Sequence, residues 1–269
     1  MDYFKYLRKD KMPHIWCDGC GNGIVLKSIL RTIDGVKWDK DEIVLISGIG
    51  CSGRTSGYVD FNTLHTTHGR ALTFATGMKL SNPELKIIVL SGDGDATAIG
   101  GNHFIHAARR NLDLNLIVLN NNIYGMTGGQ VSPTTPHQKI TSTTPHGNPD
   151  FAFDISDLAK SAGANFVARV PAVMTNKMDR YIQKAFQKEG FAVVETLTPC
   201  PTSYGRANTE TGETGVEMLQ YQKENSISID KAKQLSRSEL QNKIITGIYV
   251  DKEDPSYLEH YQQNQDNAN

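Results

Sequence analysis

The chain has 269 residues, enough for one large domain or one domain with a tail, and its 28 Lys and Arg against 29 Asp and Glu leave a net charge of −1. That balance gives no general pull toward nucleic acid or an anionic membrane surface. Wholly apolar runs are short, such as residues 43–46 and 116–119, and the first residues form no apolar signal core, so a cytoplasmic protein with no membrane span is expected.

In chain order, two thiols come first, at Cys-x-x-Cys spacing in Trp16-Cys17-Asp18-Gly19-Cys20-Gly21. Residues 23–32 then carry Ile24, Leu26, Ile29 and Leu30 at roughly helical spacing. Residues 43–47 form the first of five β-rich runs, followed at once by Gly50-Cys51-Ser52-Gly53. A helix is predicted over 68–80, and a strand over 87–91 ends on Gly92-Asp93-Gly94-Asp95. A helix over 98–110 leads to a strand over 115–119, which ends on Asn120-Asn121-Asn122. Residues 124–148 are rich in Gly, Thr, Pro and His with little periodicity, and so long a loop inside a compact domain is usually functional or mobile. Asn148-Pro149-Asp150 is a capping signal for a helix over 151–162. Strands over 165–170 and 192–196 then flank a helix over 175–188, and the last strand runs into Pro199-Cys200-Pro201.

Strands alternating with helices predict the α/β class, with a doubly wound, mostly parallel sheet. The strands show little alternation of apolar and polar residues, as expected when both faces are buried. Ligands in such sheets sit at the carboxyl ends of the strands, where Gly50, Gly92 and Asn120 all fall. From about Gly205 the chain turns polar. Helices are expected over 209–222 and 227–243, and residues 262–269 are expected to lack order. Residues 1–205 are therefore read as a cofactor domain and 206–269 as an extension that docks a partner.

Four cysteines, Cys17, Cys20, Cys51 and Cys200, are a full ligand set for one iron–sulfur cluster or one tetrahedral zinc. Zinc usually draws two nearby pairs, whereas Cys51 and Cys200 stand singly and far along the chain; spacing favours iron–sulfur and leaves zinc open. A thioredoxin-type pair should follow a first strand, and this one precedes it. Gly92-Asp93-Gly94 alone would be read as a turn. An Asn cluster at the end of the next strand reverses that reading. Glycines let backbone approach phosphate oxygens, and Asp93 can ligate a hard cation.

Gly92-Asp93-Gly94 followed by Asn120-Asn121 resembles the thiamine diphosphate motif of the thiamine-dependent enzymes. With Trp16-Cys17-Asp18-Gly19-Cys20-Gly21, Ile49-Gly50-Cys51-Ser52 and Thr198-Pro199-Cys200, the chain resembles the beta subunits of the 2-oxoacid:ferredoxin oxidoreductases. Tyr124-Gly125-Met126-Thr127-Gly128-Gly129-Gln130 and His65-Thr66-Thr67-His68-Gly69-Arg70-Ala71 are most similar to the 2-oxoglutarate synthase type. The resemblance covers residues 6–206. It implies a thiamine diphosphate-binding fold, and Mg2+ on Asp93, Asn121 and the carbonyl of Ile123. It implies cofactor contacts from Ile49, Gly50, Cys51, Ser52, Gly92, Gly94, Asp95, Gly125 and Met126, and a [4Fe–4S] cluster on Cys17, Cys20, Cys51 and Cys200. The implied reaction is oxidative decarboxylation of a 2-oxoacid to an acyl-coenzyme A, with electrons passed through the cluster to ferredoxin. The implied partners are an alpha subunit, with small gamma and delta subunits as further candidates. The glutamate that activates thiamine in the family has no matching motif here, so a partner is expected to supply it.

Arg54, three residues beyond Cys51, is a candidate for holding a substrate carboxylate, against a surface salt bridge as the plainer alternative. His68 is a candidate catalytic group beside a structural role, and His65 shares its segment. His103 and His106 are expected to pack or face a partner, and Met126 to line the substrate pocket or simply pack. Three alternatives stand beside the main reading: the same machinery acting on pyruvate or branched-chain 2-oxoacids, a non-redox thiamine decarboxylase with structural zinc, and a non-enzymatic assembly subunit.

Overall fold

Five apolar runs become interior strands because each is long enough to cross a core and carries side chains for both faces. A computed structural model describes residues 1–236 and 238–267. After an N-terminal segment that holds Cys17 and Cys20, α1 (Asn22–Val36) leads to β1 (Ile43–Ser47) and the edge strand β2 (Asn62–His65). Then come α2 (Ala71–Ser81), β3 (Lys86–Gly92), α3 (Gly101–Arg109) and β4 (Leu114–Asn120). The long loop holds only the small ribbon of β5 (Ile123–Tyr124) and β6 (Gln130–Val131). It leads to α4 (Ile155–Ser161), β7 (Phe166–Pro171), α5 (Thr175–Phe186) and β8 (Phe191–Leu197). The chain closes with α6 (Gly215–Asn225), β9 (Ser226–Ser228), α7 (Ile229–Ala232), β10 (Ile244–Asp251) and α8 (Tyr257–Asp266).

The main sheet has the order β2-β1-β3-β4-β8-β7-β10-β9. Its pairs are parallel except β7 with β10. Successive strand side chains point to opposite faces. Ile43 and Leu45 of β1, and Ile88 and Leu90 of β3, therefore pack in one core with Ile29 and Ile33 of α1 and Met178 and Ile182 of α5. Val44, Ile46, Ile87 and Val89 face the other core, with Ala75 of α2, Phe104 of α3 and Ile155 of α4. This two-sided burial is why the runs show no alternation.

Two features depart from the sequence reading. The expected helix over 227–243 is instead β9, the four-residue α7 and turns, with residue 237 outside the described residues. The next run, Ile244–Asp251, then pairs with β7, so the polar C-terminal part adds a strand to the sheet of the first 205 residues. Residues 262–266, expected without order, continue α8, whose start is fixed by a capping box of Ser256 and Glu259; residues 268–269 lie outside the described residues.

Candidate active site

The carboxyl ends of β1, β3 and β4 lie side by side, and the loops that leave them wall a cleft of about 190 Å³. Ile49, Gly50, Cys51 and Ser52 come from the first loop, and Gly92, Asp93, Gly94 and Asp95 from the second. Asn121, Ile123, Gly125 and Met126 come from the third, and His68 closes one side. The helix expected from residue 98 begins earlier, as a π-helical turn over Asp95–Ile99 before α3. A Cβ on Gly94 would stand 2.3 Å from the Tyr124 ring, so only glycine lets these two segments meet.

Asp93 is 3% exposed, and burial pushes its carboxyl above the usual carboxylate range, partly offset by its hydroxyl partners and nearby backbone N–H groups. Ser132 Oγ and Thr134 Oγ1 donate to Asp93 Oδ2 at 2.6 and 2.5 Å. Asn121 Oδ1 accepts from Ile123 N at 3.2 Å, which folds the two onto the same wall. A buried carboxylate, an amide oxygen and a main-chain carbonyl are hard oxygen donors of the kind magnesium takes when a diphosphate supplies the rest. Behind them Asn120 Nδ2 donates to Glu195 Oε1 at 2.8 Å, and Glu195 pairs with Arg169 at 2.7 Å.

The Asp95 carboxylate is held by the chain itself. Oδ1 accepts from Ile49 N at 3.2 Å and Gly69 N at 2.7 Å and lies 2.6 Å from His68 Nδ1, while Oδ2 accepts from Ser91 Oγ. One buried side chain thus binds the loop after β1, the turn before α2 and the end of β3. With Nδ1 on Asp95, His68 keeps Nε2 as its remaining polar atom at the cleft.

The four thiols converge from three parts of the chain. The Cys-x-x-Cys turn is closed by Cys20 N donating to Cys17 O, and Gly21 N donates to Pro199 O, which ties it to the Cys200 segment. Trp16 Nε1 donates to Cys51 O at 2.7 Å. A Cβ on Gly125 would lie 3.5 Å from Cys200 Sγ and 3.9 Å from Cys51 Sγ, so the cleft wall and the sulfurs share a surface. Burial pushes the Cys20 thiol up to about 12, and the other three cysteines add to that rise. Cys51 and Cys200 are raised as well, chiefly by burial. Thiols so disposed are poor free nucleophiles and lose their protons to a bound metal instead. Among the described residues, no three His, Cys, Asp or Glu side chains are placed to hold a single metal ion. A tetrahedral zinc would draw four sulfurs to about 3.8 Å of one another, whereas a cubane cluster spaces them more widely.

Arg54 is exposed and stands outside the cleft lining, although its N–H donates to Cys51 O at 3.3 Å and its charge lowers the Cys51 thiol. His65 ends β2 and is exposed; His103 and His106 lie on α3. Ser132, Thr134, Asn22 and Tyr124, to which no role was assigned from the sequence, all lie at or against the cleft. A run of hydroxyls, Ser132-Pro133-Thr134-Thr135, within an otherwise unpatterned loop was the available signal for the first two.

Residues 48–196 match the family described as "Thiamine pyrophosphate enzyme, C-terminal TPP binding domain". The chain is 48% identical over 255 residues to the 2-oxoglutarate synthase subunit KorB of Methanocaldococcus jannaschii, covering 95% of this chain and 94% of that one. It is 56% identical over 201 residues to the KorB subunit of Archaeoglobus fulgidus, covering 75% of each. Among solved structures it is similar to the 2-oxoglutarate:ferredoxin oxidoreductase of Magnetococcus marinus, solved with 2-oxoglutarate, coenzyme A and succinyl-CoA bound. The TM-score is 0.88 and the identity 30%, covering 100% of this chain and 91% of that one. The cleft at the ends of three parallel strands, its Gly-Asp-Gly and Asn arms and these relatives agree: the chain belongs to the KorB family, the beta subunits of the 2-oxoacid:ferredoxin oxidoreductases.

Proposed function

We propose that this chain is the thiamine diphosphate- and cluster-bearing subunit of a cytoplasmic 2-oxoglutarate:ferredoxin oxidoreductase. The overall reaction takes 2-oxoglutarate, coenzyme A and two oxidised ferredoxins to succinyl-CoA, carbon dioxide, a proton and two reduced ferredoxins. Bound thiamine diphosphate supplies the carbanion stabilisation that decarboxylation needs, and a [4Fe–4S] cluster the one-electron steps. Asp93, Asn121 and the Ile123 carbonyl hold Mg2+, with Ile49 to Ser52, Gly92, Gly94, Gly125 and Met126 around the cofactor. Asp95 orients His68, whose Nε2 holds or moves a proton at the substrate. Arg54, exposed and outside the cleft lining, is proposed to meet a substrate carboxylate. Cys17, Cys20, Cys51 and Cys200 hold the cluster.

The observation that carries this reading is that Cys51 belongs to both constellations: it lines the cleft and shares the Gly125 surface with Cys200. The cleft lining holds no glutamate among the described residues. An alpha subunit is therefore proposed to complete the site, with small gamma and delta subunits as optional members. Phe74 and Leu80 on α2, Ile99 just before α3 and Ile105 on it leave large apolar side chains exposed, which suits a partner surface. The test is a panel of 2-oxoacids given to the complex with coenzyme A and an oxidised ferredoxin. The highest kcat/KM is expected on 2-oxoglutarate; a clear preference for pyruvate or a branched-chain acid would overturn the substrate, and carbon dioxide release without ferredoxin reduction would overturn the redox role.

A further inference from the structure

The long loop between β4 and α4 carries a hydroxyl-rich segment that the reading above leaves without a task. Ser132, Thr134 and Thr135 are all buried, and each reaches one or both of the two cofactor-motif arms. Ser132 Oγ and Thr134 Oγ1 both donate to Asp93 Oδ2, on the arm after β3. Thr134 Oγ1 also lies 3.0 Å from Asn120 Oδ1, and Thr135 Oγ1 donates to Asn122 O at 2.6 Å, both on the arm after β4. The segment is braced internally by Ser132 N donating to Thr135 Oγ1 and from the far end of the loop by Asn148 Nδ2 donating to Thr135 O. A hydroxyl has one proton to donate, and for Thr134 the carboxylate is the stronger acceptor.

From this geometry we propose that Ser132 and Thr134 form a clasp that positions Asp93 for the cation. Both hydroxyls fall on Oδ2, so together they restrain the orientation in which the carboxylate would meet a cation. Because the same segment grips the Asn120–Asn122 arm, seating of the 124–148 loop and loading of the metal–diphosphate site become one event. The clasp residues are positioning residues, since they act through Asp93. This inference rests on Asp93 being the cation ligand, as proposed above. Outer partners of a ligating carboxylate commonly change metal affinity by about 10–100-fold when removed.

The test is calorimetric titration of the full chain with thiamine diphosphate across a series of Mg2+ concentrations, beside thermal unfolding without cofactor and limited proteolysis of the loop. The double variant Ser132→Ala/Thr134→Val is expected to weaken thiamine diphosphate binding about 10–100-fold at low Mg2+, with much of the loss recovered at high Mg2+. Thr134→Ser keeps its hydroxyl and is expected to bind as the wild type does. Added cofactor is expected to protect the loop from protease in the wild type and less so in the double variant. Unchanged affinity in the double variant, while Asp93→Ala abolishes binding, would overturn the clasp and leave the metal site standing. A loss that appears equally in Thr134→Ser, or follows the cofactor-free unfolding temperature and resists Mg2+, would assign the hydroxyls to folding alone. Wild type and Asp93→Ala binding alike would remove the metal site and the clasp together.

Discussion

At Asp95 groups from three segments meet one buried carboxylate, and its neighbour Gly48 shows how little room is left. A Cβ on Gly48 would sit 1.9 Å from Asp95 Oδ2. Gly48→Ala must therefore push Asp95 out of its place, with an expected loss of at least about 2 kcal/mol in urea unfolding and weaker thiamine diphosphate binding. Wild-type stability in that variant would show that the Asp95 contacts are loose. The sequence pointed at Asp95 as a cofactor contact because it follows Gly92-Asp93-Gly94. What it could not show is that the carboxylate is already taken by Ile49, His68, Gly69 and Ser91, since those partners lie on strands and turns that only the sheet order brings together. Ser132 and Thr134 stayed hidden for the same reason: hydroxyl residues carry no periodicity, and their partner is some 40 residues away in sequence and 2.6 and 2.5 Å away in space.

Among the elements, β7 and β8 are joined by a charge pair in the interior. Arg169 bonds to Glu195 and to Tyr249 OH, and also contacts Asp154, while Glu195 is 2% exposed and accepts from Ser156 and Asn120. Arg169→Met would strand a buried carboxylate, so a loss of about 3–5 kcal/mol is expected in denaturant unfolding, eased in Arg169→Met/Glu195→Gln. A weaker set of pairs ties the end of β10 to the turn after α5, where Lys188 bridges Asp251 and Glu253. Lys188, then Lys184, holds the Asp251 carboxyl below its usual value. A carboxyl lowered on folding adds stability above its unfolded value, and that stability is lost as pH falls through the folded one. The effect of Lys188→Met, at most about 1 kcal/mol for so exposed a carboxylate, should be full at pH 7 and shrink below about pH 4. An effect that stays constant to pH 3 would mean that Lys188 acts through packing. Five strands were legible because they are apolar on both faces; β2 was not, being half exposed and polar in Asn62-Thr63-Leu64-His65. β10 was masked by the polar residues before it and by Gly247, which interrupts the run at φ +139° just before its register shifts.

For the whole molecule, the C-terminal part is built into the sheet, so cutting the chain after residue 205 would bare the β7 edge. Such a fragment is expected to aggregate or unfold instead of behaving as a separate cofactor domain; a soluble fragment with cooperative unfolding would show that the division at 205 is real. Catalysis is a property of the assembly in this account: the isolated chain should bind its cofactors yet turn over negligibly until the alpha subunit is added. Cys17 and Cys20 precede the first helix, Cys51 follows β1 and Cys200 follows β8, and folding brings all four near one another, with Cys51 and Cys200 against the cleft wall. The most direct test is the iron, acid-labile sulfide, zinc and thiamine diphosphate content of the protein isolated without oxygen. About four iron, four sulfide and one thiamine diphosphate per chain are expected, with little zinc; one zinc and no sulfide, or no thiamine diphosphate, would contradict a cluster-bearing, thiamine-dependent subunit.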